Sequence, residues 1–191
     1  RVVRGKDGRW NIAGDLFSKP HPELAIPTIV VRDATMLIED YLASPTRPAL
    51  EIKVAEAIGL NDPIEIVKFR LRGASELAGP LELKGSWVRS SGALDLTLAA
   101  GEIPVKAPLV HLLAAYVPNF TEHARQFEAT AQVNARVAFQ PASTQAWSHD
   151  VRLQVRGGKL RHPQVPLPVE QTEAALHCAD GQVQLQQLTA R

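Results

Sequence analysis

The clearest pattern in this chain is a run of alternating apolar and polar residues over residues 127–139. Every odd position from Phe127 to Phe139 is apolar, and every even position as far as Arg136 is polar. Successive side chains of a strand point to opposite faces of a sheet, so the run predicts a strand with one apolar and one polar face. Such a strand would span roughly 40 Å, which is about twice the usual length.

Shorter alternating segments fill much of the remaining chain and predict an antiparallel meander. Turn residues between them predict where the chain reverses, because Asp-Gly pairs and Gly-containing clusters favour tight hairpin loops. The predicted single strands cover residues 50–57, 64–72, 81–89 and 94–98. The predicted hairpins cover residues 2–12, 28–39, 150–161 and 172–188, with turns at 6–8, 32–34, 157–158 and 179–181.

One segment departs from the strand period and predicts a short α-helix near residues 108–117. Its apolar residues recur at the spacing of one helix face: Leu109, Leu112, Leu113 and Tyr116. Pro108 suits the first helical turn, and Pro118 ends the pattern. A helix of about ten residues is roughly 15 Å long, so it is too short to cover the apolar side of ten or so strands.

The apolar side of the predicted sheet must be covered, since a sheet with one apolar face buries that face against another layer. Two hypotheses follow. In the first, the sheet curls into an open trough and lipid lies on its inner face. In the second, a second sheet or a closed barrel buries the face, as in a structural or protein-interaction module. The open trough predicts a groove lined by Leu81, Leu83, Trp87, Leu94, Leu96, Val133, Val137, Phe139, Leu153 and Val155.

Composition narrows the function classes. The formal net charge is +1, aromatic residues make up 5% of the chain, and Lys and Arg form no block. These features argue against a nucleic-acid binder, which needs a basic surface and stacking aromatics. No apolar run approaches the length of a membrane-spanning helix. The 191 residues predict a single β-rich segment over 1–191, with a possible division into 1–105 and 119–191. The strand patterns at both ends suggest a segment of a longer protein.

Candidate chemistry is sparse, and the sequence predicts no enzyme, metal site or cofactor. Ser148, His149 and Asp150 are adjacent in what reads as a loop, whereas a catalytic triad is assembled from residues brought together in space. His177 and the single cysteine, Cys178, are neighbours on a predicted strand and should therefore point to opposite faces.

The acidic residues at polar strand positions are best explained by a solvated outer face on which cross-strand basic residues balance them. The acidic set is Glu51, Glu56, Glu65 and Glu82, and the basic set is Lys53, Lys68, Arg70 and Lys84. A carboxylate pair for acid–base catalysis is the weaker explanation of the same residues.

Several local phrases, taken in order, resemble the AsmA-like proteins of bacterial envelopes, which are relatives of TamB and of the bridge-like lipid-transfer proteins. The phrases span Asp7-Gly8-Arg9-Trp10-Asn11-Ile12, Asp15-Leu16-Phe17, residues 26–34 and 38–40, the predicted helix at 108–118, and residues 155–169 and 181–188. One departure is Ala34, which stands where the family pattern has glycine after the hairpin Asp.

The resemblance implies a mainly β fold, namely an elongated, curved antiparallel sheet with an apolar concave face and one short helix. It implies a bacterial periplasmic setting, with the parent protein anchored to the inner membrane by a segment that this chain lacks. The implied function is phospholipid transport or support of outer-membrane assembly. The implied partner is phospholipid or another acyl lipid, held on the apolar face without covalent chemistry.

Overall fold

A computed structural model describes residues 2–7, 11, 28–40, 50–61, 64–106, 109, 127–160 and 169–191. Within these residues the chain forms one ten-stranded sheet that is not closed, and the order of the strands in the sheet is their order in the chain. The strands are β1 (Val2–Arg4), β2 (Ile29–Asp40), β3 (Leu50–Leu60), β4 (Ile66–Ser75), β5 (Gly79–Val88), β6 (Leu94–Val105), β7 (Phe127–Phe139), β8 (Trp147–Leu160), β9 (Val169–Ala179) and β10 (Gln182–Thr189).

The predicted mainly β, elongated sheet is therefore confirmed, and β7 has the bounds that its alternation predicts. Every neighbouring pair from β2 to β10 is antiparallel. Strands β6 and β7 pair along most of their length. The two parts of the predicted division, 1–105 and 119–191, therefore contribute strands to one sheet.

The first pairing departs from the antiparallel prediction, because β1 runs parallel to β2. A parallel pair needs a long crossover, and the residues between β1 and β2 are numerous enough to supply one. The opposite side of β1 contacts Asn11. The Asn11 backbone N–H donates to the Val3 carbonyl over 2.9 Å, and the Val3 N–H donates to Asn11 Oδ1 over 2.9 Å. The chain thus turns back after residues 6–7, as predicted.

Two of the predicted hairpin turns are wrong, because the residues that suggested them lie inside continuous strands. Asp33 has a φ of 51° within β2, and Gly157 has a φ of 62° within β8. Next to Gly157 the register of β8 against β9 shifts between Val155 and Gly158. Residues that tolerate positive φ bend or bulge a strand as readily as they reverse it.

The predicted turn between β9 and β10 is confirmed. Asp180 and Gly181 both have positive φ, at 47° and 83°, as a two-residue hairpin loop requires. Of the predicted helix at 108–117, Leu109 alone lies among the described residues, where it packs against the core. The rest of that prediction lies outside them.

The core described by the structure is small and centres on β6, β7 and β8. Ala100, Ile103, Ala131 and Val155 are buried together. Half-buried apolar side chains pack around them: Leu81, Val105, Leu109, Phe127, Ala129, Val133, Leu153 and Ala174.

Neighbouring strands and a ring pack closely against Gly85 on β5, in the middle of the sheet. A Cβ there would lie 2.5 Å from the Phe69 ring and 2.7 Å from the Asp95 carbonyl oxygen. We expect Gly85→Ala to lower the free energy of unfolding by about 1–3 kcal/mol, because overpacking forces ring and backbone apart. Gly59→Ala is the matched control, since its nearest neighbour would be Ile29 Cβ at 3.9 Å. Urea unfolding of the two variants measures the difference, and equal stability would contradict the prediction.

Candidate functional site

The candidate site is one face of the sheet, built by the alternating positions of β2 to β10. In an antiparallel sheet, directly opposite residues point to the same side. Leu81 lies opposite Ala100, Ala100 opposite Val133, and Val133 opposite Leu153. This row of side chains therefore crosses four strands on one face.

The same register places all ten predicted groove residues on that one face. Leu83 lies opposite Leu98, Leu96 opposite Val137, and Val155 opposite Ala131. The row at the end of these strands runs Trp87, Leu94, Phe139 and Trp147. We call this surface the apolar face, and define it by Leu81, Leu83, Trp87, Leu94, Leu96, Val133, Val137, Phe139, Leu153 and Val155 with the residues opposite them.

Burial divides the apolar face into two kinds of residue. Trp87 and Val155 are buried, with 7% and 8% of their surfaces exposed. The other eight predicted residues are half-buried. Leu98, in the middle of the same face, is 36% exposed. The described strands form one sheet and supply no second sheet to cover this face, so it is a single-layer surface within those residues.

The apolar face also extends beyond the ten predicted residues. Phe69 and Leu71 continue it onto β4, and Leu176 and Leu185 continue it onto β9 and β10. The nine steps between strands, each about 4.8 Å, make the sheet roughly 43 Å wide. The alternation in β4 was visible in the sequence, where Phe69 lies between Lys68 and Arg70. The membership of Phe69 and Leu71 in the apolar face was missed, because only the register shows which residues of neighbouring strands lie side by side.

The opposite side of the sheet, which we call the polar face, carries cross-strand ion pairs. Glu82 accepts hydrogen bonds from Arg70 Nε over 2.6 Å and Arg72 Nε over 3.1 Å, and Lys84 Nζ lies 3.2 Å away. Hydrogen bonds from Arg72 and Lys84 lower the pKa of Glu82. Arg136 donates to Asp95 over 2.6 Å, and this bond raises the pKa of Arg136. Arg70 is confirmed as a cross-strand partner of Glu82, whereas the prediction of Lys84 as a cross-strand partner is wrong, because Lys84 pairs with Glu82 within β5.

These pairs line a shallow depression on the polar face, with a volume of 450 Å³. It contains Glu82, Lys84, Arg136, Asp150 and Arg152. Mutual pairing accounts for these charges, and solvent screening limits what exposed pairs of this kind contribute. The two faces therefore differ sharply, with hydrated ion pairs on one side and hydrocarbon on the other.

The two histidines that the structure describes, His149 and His177, do not assemble a catalytic triad. Ser148 and His149 lie in β8, so the prediction of a loop there was wrong. His149 lies opposite Val137 on the apolar face, whereas Asp150 lies opposite Arg136 on the polar face. Asp150 instead contacts His177, with Oδ2 and Nε2 3.0 Å apart. Within the described ranges, no group of three or more His, Cys, Asp or Glu residues is placed to hold a metal ion.

The prediction that His177 and Cys178 face opposite sides of β9 is confirmed. His177 lies opposite Arg152 on the polar face, and Cys178 lies opposite Val151 on the apolar face. Cys178 is a half-buried free thiol.

The Asp150–His177 contact predicts a loss of stability in acid. The hydrogen bond from His177 lowers the pKa of Asp150. A lowered folded-state pKa stabilises the fold above the unfolded-state value, and this stabilisation is lost as pH falls through the folded-state pKa. We therefore expect the melting temperature to decrease as the pH is lowered below about 4. The decrease should be smaller in Asp150→Asn than in the unaltered chain. Thermal unfolding across pH measures this. Parallel curves for the two proteins would exclude a role for the contact.

Comparison of this chain with family models, with curated proteins and with solved structures finds no match. Among the described residues, no helix has both the length and the apolar character needed to cross a bilayer.

Proposed function

We propose that the apolar face binds the acyl chains of phospholipid or another acyl lipid, and that the chain acts without covalent chemistry in lipid transfer or outer-membrane assembly. The observation that carries this proposal is the register, which aligns the ten candidate residues on one face of an open sheet. A continuous apolar surface of this size is typical of a binding site.

The half-buried residues of the apolar face are assigned to lipid contact in this proposal, and the buried Trp87 and Val155 to support of the fold. Each buried CH₂ of an acyl chain contributes about 0.8 kcal/mol. Rows of Leu, Val and Phe offer similar contacts at successive positions, so a bound chain moves along the face with little change in free energy. The ion-paired polar face stays in water.

The setting proposed for this activity is the bacterial cell envelope, with the parent protein anchored to the inner membrane. The setting rests on a resemblance to AsmA-like proteins over residues 7–12, 15–17, 26–34, 38–40, 108–118, 155–169 and 181–188. Lipid in such a setting passes between two membranes through an aqueous space, and an apolar face shields its acyl chains along the way.

The proposed function is tested by the lipid content of the 191-residue chain purified from bacterial cells. We expect native mass spectrometry to show protein with phospholipid mass added, and solvent extraction to recover that lipid. A delipidated sample should take up phospholipid again from vesicles. Protein that carries no lipid, and takes none up, would overturn the proposal.

A second candidate function, protein interaction by strand addition, is favoured by β10. All eight residues of this edge strand are exposed, and none is charged. Natural edge strands usually carry charges or proline that block pairing with another strand. If β10 pairs with a second copy, hydrogen exchange of its outward-facing amides should slow as protein concentration rises. Exchange independent of concentration would exclude this pairing.

A further inference from the structure

Exposed apolar side chains gather at one end of the sheet. The antiparallel order brings the β3–β4, β5–β6, β7–β8 and β9–β10 connections to the same end, together with the start of β2. We call this the turn end, and define it by residues 28–31, 60–61, 64–65, 89–93, 140–147 and 180–183. Among the residues that the structure describes, nine large apolar side chains are exposed, and six of them lie there: Ile29, Val30, Val31, Leu60, Trp147 and Val183.

The exposure at the turn end is high. Trp147 is 55% exposed, Val183 is 69% exposed and Ile29 is 56% exposed. The turns themselves are ordered by backbone hydrogen bonds, from Val88 N–H to the Ala93 carbonyl over 2.8 Å and from Gln140 N–H to the Ala146 carbonyl over 2.7 Å. The exposed apolar side chains are thus carried by strand ends and turns whose backbones are hydrogen-bonded.

These side chains lie on both faces of the sheet. Trp147 and Val183 belong to the apolar face by their pairing with Phe139 and Cys178. Val30 and Leu60 belong to the polar face, because Val30 lies opposite Ile58 and Leu60 opposite Lys68. Four of the six lie on the apolar face and two on the polar face, so a partner that lies flat on either face would leave the residues of the other face in water. A bilayer into which the end of the sheet inserts edge-on would cover the exposed apolar residues of both faces.

Aromatic and charged residues at the turn end match a bilayer surface. Trp147 stacks against Phe139 with ring centroids 4.5 Å apart, and tryptophan favours the interface between hydrocarbon and headgroups. The two central turns, 89–93 and 140–146, contain no carboxylate, and Arg89 is their single charge. The sequences of the outer turns include Asp62, Glu65 and Asp180, so carboxylates flank this end, and its carboxylate-free centre is the part that can approach anionic headgroups.

From this geometry we infer that the turn end is a membrane-docking surface, which inserts edge-on among the headgroups of a phospholipid bilayer. The inference goes beyond the proposed function, which concerns single lipid molecules on the apolar face. Docking at this end would set the row of Trp87, Leu94, Phe139 and Trp147 at the bilayer surface, where acyl chains would enter or leave the face.

The test is co-flotation of the 191-residue chain with vesicles of phosphatidylcholine and phosphatidylglycerol. We expect the unaltered chain to bind, and Trp147→Ser and Val183→Ser each to weaken binding on the order of tenfold, because each removes apolar surface from the interface. Leu188→Ser is the matched control. Leu188 is 59% exposed but lies about 17 Å along β10 from Val183, and its loss should change binding by less than about twofold.

Three outcomes would overturn the inference. The first is no vesicle binding by the unaltered chain. The second is equal weakening by all three substitutions, which would mean that the whole apolar face inserts. The third is a dimer in sedimentation experiments that Trp147→Ser dissociates while vesicle binding is unchanged, which would assign the turn end to a second copy.

The lipid content of a turn-end variant outside the apolar face separates this inference from the proposed function. Leu60 lies on the polar face, and Leu60→Ser protein that still carries phospholipid, but binds vesicles weakly, supports docking at the turn end. Protein that binds vesicles through Trp147 but never carries lipid supports docking and overturns the proposed function alone. Circular dichroism shows that each variant is folded before either measurement is interpreted.

Discussion

Replacing Val133 and Val137 together with Asp is expected to reduce acyl-lipid binding more than tenfold while the chain stays folded. Both valines are half-buried on the apolar face, and Val137 lies opposite Leu96. Without lipid, a carboxylate at such a site keeps much of its water. With lipid, it must be desolvated against hydrocarbon, which costs several kcal/mol, more than the roughly 1.4 kcal/mol that a tenfold loss requires. Crosslinking to a photoactivatable phospholipid measures the loss.

The control for this pair places the same charges on the same strand with the opposite orientation. Gln132 and Asn134 are exposed on the polar face, and Asn134 lies opposite Arg152. Gln132→Asp with Asn134→Asp should leave crosslinking unchanged. Equal crosslinking in both double variants would refute lipid binding on the apolar face. Unfolding of the valine variant alone would instead show that Val133 and Val137 belong to a closed core.

The largest single effect on stability is expected from Trp87→Ala. Trp87 is 7% exposed, lies between Val67 and Leu94 in its row, and has the Arg89 guanidinium 5.5 Å from its ring centroid. Removing a buried tryptophan typically costs about 3–5 kcal/mol, a large share of the stability of an ordinary domain. Urea denaturation followed by circular dichroism should show this loss, or an unfolded chain.

Trp147 provides the matched comparison, because it belongs to the same row three strands away but is 55% exposed. Trp147→Ala should cost no more than about 1 kcal/mol, since half of its surface is already in water. Similar losses of stability for the two tryptophan variants would contradict this prediction. They would mean that Trp87 and Trp147 are buried to the same degree. A small loss for both would mean that the row contributes little to folding.

Much of the candidate site was predictable from local pattern. A strand has a side-chain period of two, so the alternation in residues 127–139 identified both β7 and the side of Val133 and Val137. The Leu residues of 81–83 and 94–96 followed the same rule. The polar-face pair of Glu82 with Arg70 was also foreseen, because opposite charges on neighbouring strands meet across the sheet.

The turns show the limit of local pattern. Asp180-Gly181 reverses the chain, whereas Asp33 and Gly157, which suggested turns on the same grounds, stay within β2 and β8. A positive φ is compatible with a hairpin loop and with a strand irregularity alike. The choice depends on whether neighbouring strands can continue to pair, and that is a property of the whole sheet.

The amino-acid sequence by itself therefore determined that this chain is built of two-faced strands, and which side of several strands is apolar, because these properties depend on neighbouring residues alone. The tertiary structure alone decided the parallel pairing of β1, the rows that join ten candidate residues, the burial of Trp87 and Val155 beside half-buried neighbours, and the collection of Ile29, Leu60, Trp147 and Val183 at one end. These features depend on register between residues far apart in the chain, which local side-chain periodicity does not specify.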